Sequence, residues 1–385
     1  MRKIAIVTAT RAEYGILRPL IFRLNEEKTF QVQLYVTGTH LSQQYGNTQE
    51  EIVKDGLRIY KKIPILEAGN TPFDISITMA NALRGFAEAF RSDRPDLLIL
   101  LGDRTEILGI CCAAMNERIP IAHLHGGELT EGAVDDCVRH AVTKMSYLHF
   151  AAAEVYRQRI IQMGESPERV FHTGALGVEN ILKVPLLSAS ELCQEVGIPK
   201  NCRLVVVTFH PVTLEAGEAR QQVQELILAM KANPQYYYLI TKANADVGGH
   251  LVNECLEQFA KETEGAKLTA SLGMVRYLSA VRYSDFVLGN SSSGIIEAPA
   301  MGTPTVNIGN RQKGRLMADT IVSCKSAHEE ITAAMHTAAQ MERRKSKLYG
   351  DGHTSERITA ILKDFLENNK INLEKKFYSI QAEAL

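Results

Sequence analysis

The sequence predicts an α/β protein built of two doubly wound, Rossmann-like domains that face each other across a cleft. Three observations carry this prediction. The chain has 385 residues, more than one hydrophobic core usually serves. Short β-branched apolar runs alternate with longer stretches of helical period. That alternation also stops once near the middle of the chain and then resumes.

In the first half the runs are Ile4 to Val7, Val32 to Val36, Leu97 to Leu101, Ile119 to His123 and Leu148 to Ala151. They lack in-out alternation, which suits strands buried on both faces, so a parallel sheet with helices on both sides and right-handed crossovers is expected. After Gly174-Ala175-Leu176-Gly177 the pattern pauses through Val184-Pro185-Leu186-Leu187-Ser188, and the hinge is placed there. The second half supplies Leu204 to Val207, Tyr236 to Ile240, Lys267 to Thr269, Phe286 to Leu288, Thr305 to Ile308 and Ile321 to Ser323. The expected division is 1–185, 186–365, and a tail, 366–385, made of a helix end followed by disorder.

Composition narrows the class. With 45% hydrophobic and 23% charged residues, 27 Gly and 12 Pro, the chain reads as globular rather than disordered or collagen-like. Its 43 Lys+Arg balance 44 Asp+Glu to a net charge of -1, so no overall positive field attracts nucleic acid or an anionic membrane, and neither is an expected partner. An anionic ligand must be held locally. No apolar run approaches the length of about 18 residues that a membrane helix needs. The opening run Ile4-Ala5-Ile6-Val7 is too short for a signal-peptide core and reads as a strand. The seven cysteines include no Cys-x-x-Cys pair, and Cys111-Cys112 lie in an apolar helical stretch; reduced thiols and a cytoplasmic location are expected.

In open parallel sheets ligands lie beyond the carboxyl ends of the strands, so the polar residues that follow the strands are the informative ones. They are Arg11 and Glu13, His40, Asp103 and Arg104, His125 and Glu128, His210, Asn244 and Asp246, and Ser291-Ser292-Ser293. Asp285 to Glu297 reads as strand, small-residue loop and helix start. Free backbone N–H groups, three hydroxyls and Gly294 there can hold a diphosphate without a lysine. The plainer alternative is a serine N-cap with Glu297 complementing the helix dipole. Pro299 should keep that helix short. Downstream, Arg311, Lys313 and Arg315 put three cations near the same edge, as anion ligands or as solvated surface.

No Walker loop occurs, and Thr8-Ala9-Thr10-Arg11-Ala12-Glu13 stands where a dinucleotide-binding Gly-x-Gly-x-x-Gly would follow the first strand. A dinucleotide oxidoreductase is therefore not expected. Arg11 at that turn can reach a phosphate bidentately or form a surface salt bridge. Asp103 beside Arg104 is a candidate base or a helix cap. His123 and His125 share a face of an extended segment, but without an obvious third ligand they do not call for a metal. Asp135 with Arg139 and Asp136 with His140 sit four apart, as helix-surface pairs do. His210, held extended by Pro211, can donate to a diphosphate or carry a proton.

Taken in order, these motifs resemble the UDP-N-acetylglucosamine 2-epimerase family, in its hydrolysing branch that feeds sialic-acid and related nonulosonic-acid synthesis. The matching pieces are Thr10-Arg11-Ala12-Glu13-Tyr14-Gly15, Thr37-Gly38-Thr39-His40, Gly102-Asp103-Arg104, His125-Gly126-Gly127-Glu128, Arg139-His140, Phe209-His210-Pro211, Gly289 to Gly294, Asn310 to Arg315 and Tyr349-Gly350-Asp351-Gly352. The resemblance implies a fold of the glycosyltransferase B type, with UDP mainly on the second domain and the sugar facing the first. It makes Asp103 and Asp135 the acid-base carboxylates, with Asp136 the alternative within its pair, and has Glu128 and His140 lining the sugar site. Arg11, His210, Ser291, Ser292 and Arg315 would surround the diphosphate, and Glu297 would meet the ribose. Animal members and non-hydrolysing relatives carry a catalytic glutamate where this chain has His125, so either His125 or Glu128 takes its job. The implied reaction converts UDP-N-acetylglucosamine to N-acetylmannosamine and UDP, with no cofactor. A homodimer or homotetramer of bacterial origin is the corresponding expectation. The same reaction on UDP-2,4-diacetamido-2,4,6-trideoxyglucose, or transfer of a UDP-linked sugar to an acceptor, would use much the same framework.

Overall fold

The computed structural model describes the chain except for residues 68, 70, 131–133, 213–216, 244–247, 369 and 381–385, and the side chains of 182 and 183. Contacts divide it into two compact units: Met1–Glu128 with Asp135–Asn180 and Gly350–Leu385, and Leu129–Val134 with Ile181–Tyr349. The stretch from Gly350 onward thus clusters with the first unit, whereas the sequence assigned 350–365 to the second. The reason is packing: Ile358, Leu362 and Leu366 of the helix Thr354–Glu367 are buried in a core with Leu17, Leu20 and Leu24.

The first unit holds seven parallel strands: β1 (Arg2–Thr8), β2 (Phe30–Thr37), β3 (Ile59–Ile63), β4 (Leu97–Leu101), β5 (Ile121–Leu124), β6 (Leu148–Ala151) and β7 (Val170–His172), in the order β3-β2-β1-β4-β5-β6-β7. Both faces are covered. Ile4 and Ile6 pack into one core while Ala5 and Val7 pack into the other, as a doubly wound sheet requires. The second unit holds six: β8 (Arg203–Thr208), β9 (Tyr236–Thr241), β10 (Ala266–Thr269), β11 (Phe286–Gly289), β12 (Thr305–Ile308) and β13 (Ile321–Cys324), in the order β10-β9-β8-β11-β12-β13. Here Val205 and Val207 face one core and Leu204 and Val206 the other. The two strands that the apolar runs do not mark, β3 and β7, are the edges of the first sheet. An edge strand keeps one flank in solvent, so Lys61 and Lys62 break the apolar run of β3.

The turn after β1 is built by a capping box. Thr10 Oγ1 accepts from Glu13 N at 3.2 Å, and Glu13 Oε2 accepts from Thr10 N at 3.1 Å and Ala9 N at 2.7 Å, starting the helix Arg11–Glu26. Glu13 is buried. Burial raises its pKa to about 7, with Glu106 adding to the rise and Arg104 and the two backbone N–H groups opposing it.

The tail is not free where it is described. The Tyr147 hydroxyl donates to Lys370 O at 3.2 Å and accepts from Asn372 N at 3.1 Å, and Tyr378 N donates to Gly164 O at 2.9 Å. Lys375 Nζ reaches Ser146 O at 2.7 Å and the fully buried Glu165 at 2.8 Å. Burial alone would raise Glu165, but His149, Lys144 and Lys375 outweigh it and hold the carboxyl at about 2.

Two outcomes are expected. Glu13 binds its proton more tightly folded than unfolded, so its stabilising effect is complete below pH 4.5 and disappears as pH rises through about 7. Denaturant melts of Glu13→Gln at pH 5 and pH 8 should therefore show a flatter pH dependence than the parent, by on the order of 3 kcal/mol. Ending the chain at Lys370 removes the Lys375 partner of Glu165 and should cost on the order of 2 kcal/mol in the same assay.

Candidate functional site

In the first unit β1 lies between β2 and β4, and the connections after β1 and β4 leave in opposite directions. Diverging connections open a crevice at the carboxyl ends of those two strands. Arg11 follows β1 and Asp103 follows β4, so both flank it. Arg11 forms an ion pair with Glu51, and its Nε is buried without a hydrogen-bond partner. Asp103 forms an ion pair with Arg139; Arg104, the cation the sequence set beside it, donates through Nε to Glu106 Oε1 at 2.7 Å.

Arg139 is the hub of this end of the sheet. It is 1% exposed and sits in the helix Asp135–Met145. It holds Asp103 through Nη2, Asp136 Oδ1 at 3.1 Å through Nη1, and the backbone carbonyl of Glu128 at 2.8 Å through the same nitrogen. Burial works against its charge, and Asp103, Glu128 and Asp136 restore it. His140, on the next residue, has its Nε2 3.4 Å from Asp136 Oδ2; burial lowers its pKa against that carboxylate's pull. Asp135 opens the helix, half-buried.

The loop after β5 carries His125 and Glu128. His125 N donates to Phe150 O at 3.0 Å, which ties the residue to β6, and its φ of 62° is left-handed, an uncommon state for a residue with a side chain. Its Nδ1–H donates to Glu128 Oε1 at 2.9 Å. Gly127 also has positive φ, and a Cβ there would strike the Tyr156 carbonyl, so the tight turn between the two side chains needs glycine.

His123 and His40 are interior residues. His123 Nε2 meets Gly102 O at 2.8 Å and Nδ1 meets Thr143 Oγ1 at 3.2 Å, and burial pushes its pKa down to about 3. His40, expected among the ligand-facing residues, is fully buried with Nε2 3.0 Å from Thr8 Oγ1 and Nδ1 2.8 Å from Thr48 Oγ1; burial lowers it to about 4. Both its ring nitrogens are committed to protein, so it braces the end of β1 from within. The short 3-10 turn Gly38–Leu41 after β2 carries it inward, which strand-end position alone does not reveal.

The second unit repeats the crevice between β8 and β11. His210 N donates to Asn290 Oδ1 at 2.7 Å, and Asn290 Nδ2 donates back to His210 O at 2.8 Å. This reciprocal pair knits the two strand ends together. Gly289 permits it: at φ 137° a Cβ would collide with the Thr208 carbonyl. Ser291 then caps the helix Ser292–Ala300, accepting from Ser293 N at 3.4 Å, and Gly294 O accepts from Thr305 Oγ1 at 2.8 Å. Asn290 O accepts from Gln312 Nε2 at 2.8 Å and Arg311 Nη1 at 3.3 Å, which brings the segment after β12 to the serine loop. Arg315 is half-buried and Lys313 exposed. Glu297 lies in the second turn of the serine-capped helix. Asn244 and Asp246 lie outside the described residues.

Three contributors were not in the sequence reading of the site. Arg139 appeared as half of a helix-surface pair and as a matching motif residue with no role given, yet it is the buried cation. Gln312, 1% exposed, anchors Asn290. The Tyr277 hydroxyl lies near Ser293 and Thr208 without closing a hydrogen bond of ordinary geometry to either, and burial raises its pKa to about 12. Tyr277 belongs to the helix Gly273–Tyr283, away from any strand end, so no positional signal marks it.

A family model described as UDP-N-acetylglucosamine 2-epimerase matches residues 23–363. The chain is 40% identical to a GDP/UDP-N,N'-diacetylbacillosamine 2-epimerase (hydrolyzing) of Campylobacter jejuni, over 83% of this chain and 84% of that protein. It is 35% identical to polysialic acid biosynthesis protein P7 of Escherichia coli, over 99% of this chain and 98% of the relative. Among solved structures, a UDP-GlcNAc 2-epimerase from Neisseria meningitidis bound to UDP-GlcNAc superposes with a TM-score of 0.80 at 17% identity, covering 94% of this chain and 99% of that one. That likeness carries the fold, two doubly wound units of the glycosyltransferase B type. Matched along most of its length by the family model and by relatives of this similarity, the chain belongs to the UDP-N-acetylglucosamine 2-epimerase family.

Proposed function

We propose that this chain is a hydrolysing 2-epimerase of a UDP-linked 2-acetamido sugar, releasing UDP and the free 2-epimer. The observation that carries the reading is the buried Arg139 holding Asp103 beside the His125–Glu128 pair at one sheet end, in a member of this family. C2 of such a sugar has no adjacent carbonyl, so it cannot be epimerised by simple enolisation. Loss of UDP from C1 with loss of the C2 proton gives a glycal. Water then adds at C1 while C2 regains a proton on the other face.

Such a sequence asks for proton-handling groups and stabilisation of a leaving diphosphate. In this proposal Asp103, Asp135, His125 and Glu128 handle protons, and His140 lines the sugar. Arg11, His210, Ser291, Ser292 and Arg315 receive the diphosphate. Ser293 and Gly294 complete the loop, Arg311 and Lys313 add positive charge, and Glu297 meets the ribose; Asn244 would join them. The helix start at Ser292 supports the diphosphate assignment, because its dipole favours an anion. Arg11 must leave Glu51 to take part.

The leading substrate is UDP-N-acetylglucosamine, giving N-acetylmannosamine for sialic-acid synthesis. UDP-2,4-diacetamido-2,4,6-trideoxyglucose is the second reading, favoured by the diacetylbacillosamine relative at 40% identity. Incubating the protein in D₂O with each UDP-sugar in turn, and following products by NMR, decides between them. We expect UDP together with a free 2-epimer deuterated at C2 from one of the two. UDP release that requires an added acceptor would instead identify a glycosyltransferase. Asp103→Asn should lose at least about 100-fold in kcat while still binding UDP; normal turnover would remove Asp103 from the proposal.

A further inference from the structure

The pair that follows β5 has a defined polarity. Glu128 is 2% exposed, and its carboxylate can only accept the 2.9 Å hydrogen bond from His125 Nδ1. In the neutral ring that bond places the proton on Nδ1 and leaves the lone pair on Nε2. Nε2 is itself buried and has no hydrogen-bond partner. A buried polar group left unpaired is costly, and here it belongs to a residue already held at φ 62°. Two unfavourable features on one side chain are expected where a ligand supplies the missing partner. His123, two residues away, lacks this signature, because both its nitrogens are engaged. Glu128 is in turn fixed through its backbone by Arg139 at 2.8 Å.

We propose that His125 is the base that removes the C2 proton, through Nε2, and that Glu128 is its positioning residue. The inference rests on the 2-epimerase reading above. In the elimination the C2–H bond breaks and its electron pair forms the C1=C2 bond. The C1–O bond breaks with its pair leaving on UDP, and the proton passes to Nε2. The imidazolium so formed faces the Glu128 carboxylate. In the hydration the water oxygen bonds to C1, the Asp103 carboxylate takes the proton the water loses, and a proton enters C2 on the opposite face from Asp135, half-exposed and so in exchange with solvent.

The backbone at position 125 supplies the test. Glycine adopts φ 62° without strain, so His125→Gly keeps the turn and leaves a space of the shape of imidazole. We expect this variant to melt and bind UDP as the parent does, to lose at least about 100-fold in kcat with KM within a few-fold, and to regain turnover when imidazole is added. His125→Gln, which fills the space without a base, should show the same loss and no recovery. Adding Glu128→Gln to the glycine variant should raise the imidazole concentration needed for half-recovery, a change that a purely structural role for Glu128 would not produce. Turnover by His125→Gly within tenfold of the parent, or a folded, UDP-binding variant that imidazole does not restore, overturns the assignment. A parent protein that turns over neither UDP-sugar overturns the epimerase reading and this inference with it, whereas parental turnover matched by His125→Gly overturns this inference alone.

Discussion

A single buried guanidinium organises the first unit's sheet end. Arg139 is 1% exposed, and an unpaired cation in that position would be strongly destabilising. Asp103, Asp136 and the Glu128 carbonyl compensate it, and they come from three separate segments: the end of β4, the same helix, and the loop after β5. Satisfying one charge therefore fixes the relative positions of the groups to which proton transfer is assigned. Their geometry is a consequence of electrostatics in a dry setting more than of local backbone preference.

The second unit ties its strand ends together through a side-chain amide. Asn290 exchanges two hydrogen bonds with His210 and takes two more on its carbonyl from Gln312 and Arg311. This amide lock joins the ends of β8 and β11 and sets the start of the serine-capped helix.

Much of the fold was legible because strands buried on both faces must be apolar without interruption, as Leu97 to Leu101 and Leu204 to Val207 are. The edge strands β3 and β7 escaped because one flank of each is solvated, and β7 is also very short. The place of the Thr354–Glu367 helix was not legible either; its apolar face is plain in the sequence, but which core it joins depends on partners more than 300 residues away. Around the two crevices, strand-end position marked Asp103, His125, Glu128, His210 and the serines as candidates. It also chose His40, which a turn carries into the interior. It missed the role of Arg139, whose decisive partner Asp103 lies 36 residues earlier, a separation that helix spacing cannot encode.

The most direct measurement compares turnover with UDP affinity in Arg139→Met, a substitution of similar bulk without charge. If the guanidinium organises proton transfer in the first unit while the nucleotide is held by the second, kcat should fall by at least about 100-fold with the dissociation constant for UDP unchanged in a folded protein. Undiminished turnover, or a loss of UDP affinity as large as the loss of rate, would contradict that division of labour.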